Sequence, residues 1–158
     1  MMSARNLKFA ILLVLLLLPL SRLGAQNGTA ESAVLARMKA ETAAWGTLDA
    51  SKIKPFYSAD PKAVYFDLSP LEYHGAATFV EGSLKGLAEF SAMSLTLRGD
   101  AEIHPIGADT AWATATVEMA TVTKAGKKDA MPIRWTSVWH KSGGTWINVH
   151  EHWSQPAP

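Results

Sequence analysis

No cysteine occurs among the 158 residues. Disulfides, thiolate metal sites and thiol nucleophiles are therefore excluded, and the fold must hold by packing alone. Basic runs are equally scarce. None exceeds the pair Lys127-Lys128, in a predicted turn, so the chain carries no electrostatic footprint for nucleic acid. Internal repeats are absent. So is an apolar run long enough for a spanning helix: Phe9 to Leu18 is unbroken but shorter than the roughly 20 residues a bilayer requires.

That short run has a different meaning. Arg5 and Lys8 precede it, Pro19 ends it, and the small pair Gly24-Ala25 follows. This is the layout of a secretory signal peptide over residues 1–25, leaving a single domain over residues 26–158. No cysteine follows the run, which excludes a lipoprotein anchor. The expected product is secreted or periplasmic, with no membrane attachment after cleavage. Losing Arg5, Lys8 and Arg22 changes the formal net charge from +1 to −2. Six tryptophans then supply much of the apolar area for one core.

The hydrophobic period divides the domain in two. Thr29 is a candidate N-cap, with Val34, Leu35, Met38, Thr42 and Trp45 recurring at helical spacing up to Gly46. A shorter helix is predicted over Asp49 to Lys54, a strand over Ala63 to Leu68, a loop over Ser69 to Gly75, and a third helix along Phe79, Val80, Leu84, Leu87 and Phe90. From Ser94 the period becomes two. Strands are predicted over Leu95 to Ile106, Thr110 to Thr123, Met131 to Lys141 and Thr145 to Ser154, joined by short glycine-containing turns. Helices first and strands last give the α+β class: three N-terminal helices against a curved antiparallel β-sheet.

The final hairpin holds the unusual chemistry. A three-residue loop at Ser142 to Gly144 would pair Lys141 with Thr145, Trp139 with Ile147 and Trp135 with Glu151. Trp135, Ser137, Trp139, Glu151 and Trp153 then look toward the helices, and His140, His150 and His152 look away. Arg134, predicted opposite His152, opposes a cation there, and no carboxylate of this hairpin shares that face, so no metal site is expected. Glu151 is the anomaly, a carboxylate on an apolar face. Asp67 shares a parity with Tyr65 and is a second inward candidate. Two such acids suit general acid/base chemistry, or a structural network bonded to tyrosine, tryptophan or Arg98.

The segment VWHKSGGTWINVHEHWS resembles the end of the association, or hub, domain of calcium/calmodulin-dependent protein kinase II. The shared residues are Val138-Trp139-His140, Gly144, Trp146, Asn148-Val149-His150, His152 and Ser154. The stretch His104 to Ala115 is similar to an upstream part of the same domain. More broadly the chain resembles SnoaL-like proteins of the nuclear transport factor 2-like superfamily. The resemblance implies a cone-shaped sheet closed by the helices, a pocket between them, and a homodimer formed through the sheet. It also implies that pocket carboxylates serve catalysis in some members and not in others. Where hub domains place pocket arginines this chain has Val117 and Ser137, so the hub's carboxylate ligands are not implied. The tyrosine and paired aspartates of the ketosteroid isomerases find no clear match.

Together these readings predict a pocket lined by Trp45, Tyr57, Tyr65, Trp135, Ser137, Trp139 and Trp153, with Asp67 and Glu151 as its polar groups. Such a cavity suits a small apolar or aromatic molecule and calls for no cofactor. Three functions fit: a ligand-binding module, an isomerase- or hydrolase-type enzyme with Glu151 or Asp67 as base, and a non-catalytic oligomerisation module.

Overall fold

The computed structural model describes residues 29–156; the signal segment read at residues 1–25 lies outside them. Thr29 caps the first helix, α1 (Ala30–Trp45), by accepting a hydrogen bond from the Ser32 amide. Asp49 caps the short α2 (Ala50–Ile53) in the same way through Ser51, and Pro55 tightens the chain into a 3₁₀ turn at Lys54–Phe56. β1 (Val64–Phe66), β2 (Tyr73–His74) and α3 (Ala76–Gly86) follow. The remainder is strand: β3 (Phe90–Leu97), β4 (Glu102–Ile106), β5 (Thr110–Thr123), β6 (Lys128–Ser142) and β7 (Thr145–Ser154). Among the described residues, no helix is long and apolar enough to cross a membrane.

The seven strands form one curved, unclosed sheet in the order β2-β1-β7-β6-β5-β3, with β4 also on β5. α1 lies across β3, β4 and β7. Small residues on β5 make room for large ones on β6: Ala111 stands opposite Trp139 and Ala115 opposite Trp135. Both tryptophans are fully buried. Each withdraws on the order of 200 Å² from water, worth about 5 kcal/mol before the entropy of ordering is counted. Phe79 of α3 gathers the remaining rings, stacking on Tyr65 at 4.9 Å and meeting Trp45 and Tyr57 edge-on at 5.6 and 5.2 Å.

The sheet corrects four expectations. It is mixed, because β1 runs parallel to β7 with Tyr65 opposite Glu151. The predicted loop over residues 69–75 contains the short strand β2. The predicted strand Leu95–Ile106 is two strands, and Phe90 opens the first of them rather than ending a helix. They part where Gly99 turns at φ +86° and Asp100 bends back to accept the Thr116 amide of β5 at 3.0 Å.

The fourth correction is the register of the last hairpin. Its loop is two residues, Gly143 and Gly144, both in the left-handed region (φ 56° and 84°), so Ser142 pairs with Thr145. This is the turn whose twist matches the flanking strands. Trp139 therefore stands opposite Asn148, not Ile147. Val149 is then an extra residue, a bulge, and Val138 pairs with His150 and Ser137 with Glu151. Arg134 meets Ser154 rather than His152. The bulge reverses the parity of β7 along its length. Trp146 and Asn148 point inward before it, Glu151 and Trp153 after it. His152 is exposed and His150 half-buried, its Nδ1 2.7 Å from the Val64 carbonyl oxygen.

Candidate functional site

Two carboxylates meet inside the cone. Glu151 arrives from β7, and Glu41 from α1, three residues beyond Met38 and four before Trp45 on the same buried stripe. Neither side chain is exposed. The Tyr57 hydroxyl joins them, 2.6 Å from Glu41 Oε1 and 2.9 Å from Glu151 Oε1. Trp45 Nε1 donates to that same hydroxyl at 2.7 Å, and Trp135 Nε1 donates to Glu151 Oε2 at 2.9 Å. Asn148 Nδ2 donates to Glu151 Oε2 at 2.6 Å and reaches Glu41 at 3.3 Å, while its Oδ1 is buried without a partner. The bulge at Val149 makes this possible, since on a regular strand residues three apart face opposite ways.

Counting protons fixes the state of the pair. A phenol has one hydrogen to give, and here it lies within bonding distance of two carboxyl groups while already accepting from an indole. The second contact needs a proton supplied by a carboxyl. Burial pushes both acids above their ordinary range. Glu41 rises furthest, because the charge of Glu151 adds to its burial. The hydrogen bond from Glu41 lowers Glu151 in turn, as do those from Tyr57 and Trp135. Of the two acids, Glu41 is the one held more strongly in its protonated form. The same burial, with the negative charge that the two acids acquire as they ionise, raises the Tyr57 phenol well above its usual value.

A cavity of about 200 Å³ opens beside this cluster, between α1, α3 and the sheet. Trp45, Phe79 and Trp153 supply aromatic wall. Leu87, Met93, Leu95, Met119 and Ile133 supply aliphatic wall. The polar lining comes from Asp67, Ser69 and Ser83. Asp67 follows β1 directly; its Oδ1 accepts the Leu68 amide at 2.7 Å and its Oδ2 accepts the Ser83 hydroxyl at 2.6 Å. Glu41 and Glu151 do not border the cavity. Its wall is tied to them all the same: Trp45 bonds Tyr57, and Trp153 stacks on Trp135 at 4.6 Å.

The residues singled out from the sequence thus fall into three places. Trp45, Asp67 and Trp153 border the cavity. Tyr57, Trp135 and Glu151 belong to the buried acid cluster, which Trp45 also joins. Tyr65, Ser137 and Trp139 are packed in the interior, with Trp139 Nε1 donating to Ser137 Oγ at 2.8 Å. Glu41 and Asn148 were not anticipated. A glutamate on the apolar stripe of α1 was the available signal for the first. Nothing short of the bulge places the second. Among the described residues, no three metal-ligating side chains of the His, Asp and Glu types come together.

Known proteins give the geometry a lineage. No curated protein matches the sequence. Several solved structures match the fold. A nuclear transport factor 2-like superfamily protein from Salmonella enterica serovar Typhimurium aligns with a TM-score of 0.73 at 20% identity, over 81% of this chain and 92% of its own. A Xanthomonas campestris protein provisionally named a calcium/calmodulin-dependent protein kinase II association domain gives 0.70 at 21% identity, over 82% and 89%. One from Novosphingobium aromaticivorans, provisionally named a scytalone dehydratase, gives 0.71 at 11%, over 80% and 84%. At these identities the structures establish the cone and nothing about chemistry. The SnoaL-like domain family matches residues 34–158, which takes in every strand and all but the first turn of the helical layer. The chain belongs to the SnoaL-like domain family.

Proposed function

We propose that this chain is an exported SnoaL-like domain, dimeric through its sheet, that binds a small apolar or aromatic molecule in the cavity between α3 and the strands. The cavity itself carries this reading: it is walled by three aromatic and several aliphatic side chains and has few polar groups. A dry site of about 150 Å³ accepts a benzene ring, so the space suits a ring with a short substituent. Met119→Trp, which fills the cavity from β5, provides the control. Calorimetric titration with small substituted aromatics should give saturable binding to residues 26–158 that this variant loses while keeping its melting cooperativity. Failure of every compound in a broad panel, or equal binding by the filled variant, refutes the reading.

The dimer has support in the outer sheet face, where Trp112 is 38% exposed and stacks on His104 at 4.1 Å. Light scattering of residues 26–158 tests it, and a mass of one protomer at micromolar concentration counts against it. Export rests on the layout of residues 1–25 and is tested by the N-terminal sequence of the secreted form.

A catalytic reading has one observation in its favour: Asp67 is a carboxylate on the cavity wall, within reach of a bound molecule. There it would be the base in proton transfer beside a carbonyl. Glu151 fits that role less well, since it does not border the cavity and its oxygens already face Tyr57, Trp135 and Asn148. Turnover that Asp67→Asn abolishes would decide for the enzyme.

A further inference from the structure

Resting on the cavity reading above, we infer that the cavity selects a compact aromatic or aliphatic ammonium ion, with Asp67 as its counter-ion. The argument is one of charge balance. No basic side chain borders the cavity, and Asp67 is its one ionisable lining residue. Asp67 takes part in none of the ion pairs among the described residues; the lysines and arginines that do pair are engaged with Asp49, Glu81 and Glu118. Its oxygens accept one neutral hydrogen bond each, from the Leu68 amide and the Ser83 hydroxyl. A carboxylate oxygen has capacity for a further donor. An aspartate facing an apolar hollow with no cation beside it attracts a positive ligand and repels a negative one, and the low polarity of the walls strengthens both effects.

The walls favour the same charge. Trp45, Phe79 and Trp153 present aromatic surface, and a cation near the face of an aromatic ring is held by its quadrupole. The cavity thus has one anionic anchor at its polar side and no basic residue in its lining.

Three probes of nearly equal size separate this from simple apolar binding: 2-phenylethylamine, 2-phenylethanol and phenylacetate, titrated calorimetrically into residues 26–158 at pH 7. The amine should bind at least tenfold more tightly than the alcohol, and phenylacetate should not bind. Asp67→Asn preserves an acceptor for Ser83 and removes the charge, so it should erase the preference for the amine over the alcohol. Equal binding of amine and alcohol, or a preference that survives Asp67→Asn, overturns the ammonium inference and leaves the cavity reading standing. Absence of binding by all three, with Met119→Trp indistinguishable from the parent, overturns both.

Discussion

Glu41 and Glu151 lie 110 residues apart in the chain and share a single phenol, that of Tyr57, at 2.6 and 2.9 Å. Neither acid touches solvent. The arrangement is stable because the pair keeps one proton, and that proton has consequences for how the protein answers to pH.

The folded chain retains a proton on Glu41 that the unfolded chain releases above about 4.5. Wherever the folded state binds more protons, stability falls as pH rises, by up to about 1.4 kcal/mol per pH unit for one proton. The loss begins near the unfolded value and continues until the raised folded value is passed. Glu41→Gln keeps a neutral, similarly shaped group in place and cannot titrate. Urea midpoints of parent and variant should therefore diverge between pH 5 and pH 8, the variant gaining on the parent as pH increases. Parallel curves would mean that Glu41 is ionised in the fold.

Trp135→Phe retains a ring against Trp153 and deletes the indole donor to Glu151. A buried carboxylate that loses one of its donors costs about 1–3 kcal/mol. The variant's urea midpoint should fall by that amount with an unchanged slope, and its loss should shrink as pH falls and Glu151 gains a proton.

Gly82 is a helix-interior glycine, where alanine ordinarily gains about 1 kcal/mol. Here an added Cβ would run into the Tyr73 ring, standing 2.9 Å from its Cζ and closer still to its Cε1. Tyr73 packs against Phe79 on one side and its hydroxyl lies 3.4 Å from the Ser69 carbonyl, so it must give up these contacts to retreat. Gly82→Ala should lower the melting temperature despite the better helix former. The double variant Gly82→Ala/Tyr73→Ala should recover part of the loss.

The β6–β7 turn needs two left-handed residues. Gly144→Val places a branched side chain at φ 84° and should destabilise by about 1–2 kcal/mol, whereas Gly143→Asn, at φ 56°, should be nearly neutral. Equal effects at both positions would indicate that the loop is not the two-residue turn.

Much of this molecule is legible from spacing alone. The strands β5 and β7 begin and end where the period-two pattern does, because a half-buried strand must alternate. The inward set on β6, from Ile133 through Trp139, is legible for the same reason. The register of β7 is not. Counting faces favours a three-residue loop, because that loop keeps β7 regular. The chain instead takes the turn its two glycines prefer and corrects the mismatch at Val149, where Asn148 and Glu151 gain a shared target on α1. That target, Glu41, sits on the stripe of Met38 and Trp45, and its charged type alone kept it out of the apolar pattern. The cavity is less legible still. Met93, Leu95 and Met119 are ordinary strand residues, and they border a hollow only because the sheet curls away from α3.

β7 ends the sheet in sequence yet occupies its interior in space, between β1 and β6. A ribosome that has not yet released residue 154 has therefore made a chain in which β1 has no parallel neighbour. In that chain Glu41 has no counterpart, and the rings around Phe79 have nothing to close against. Such a nascent polypeptide cannot complete its cone by stages from the amino end.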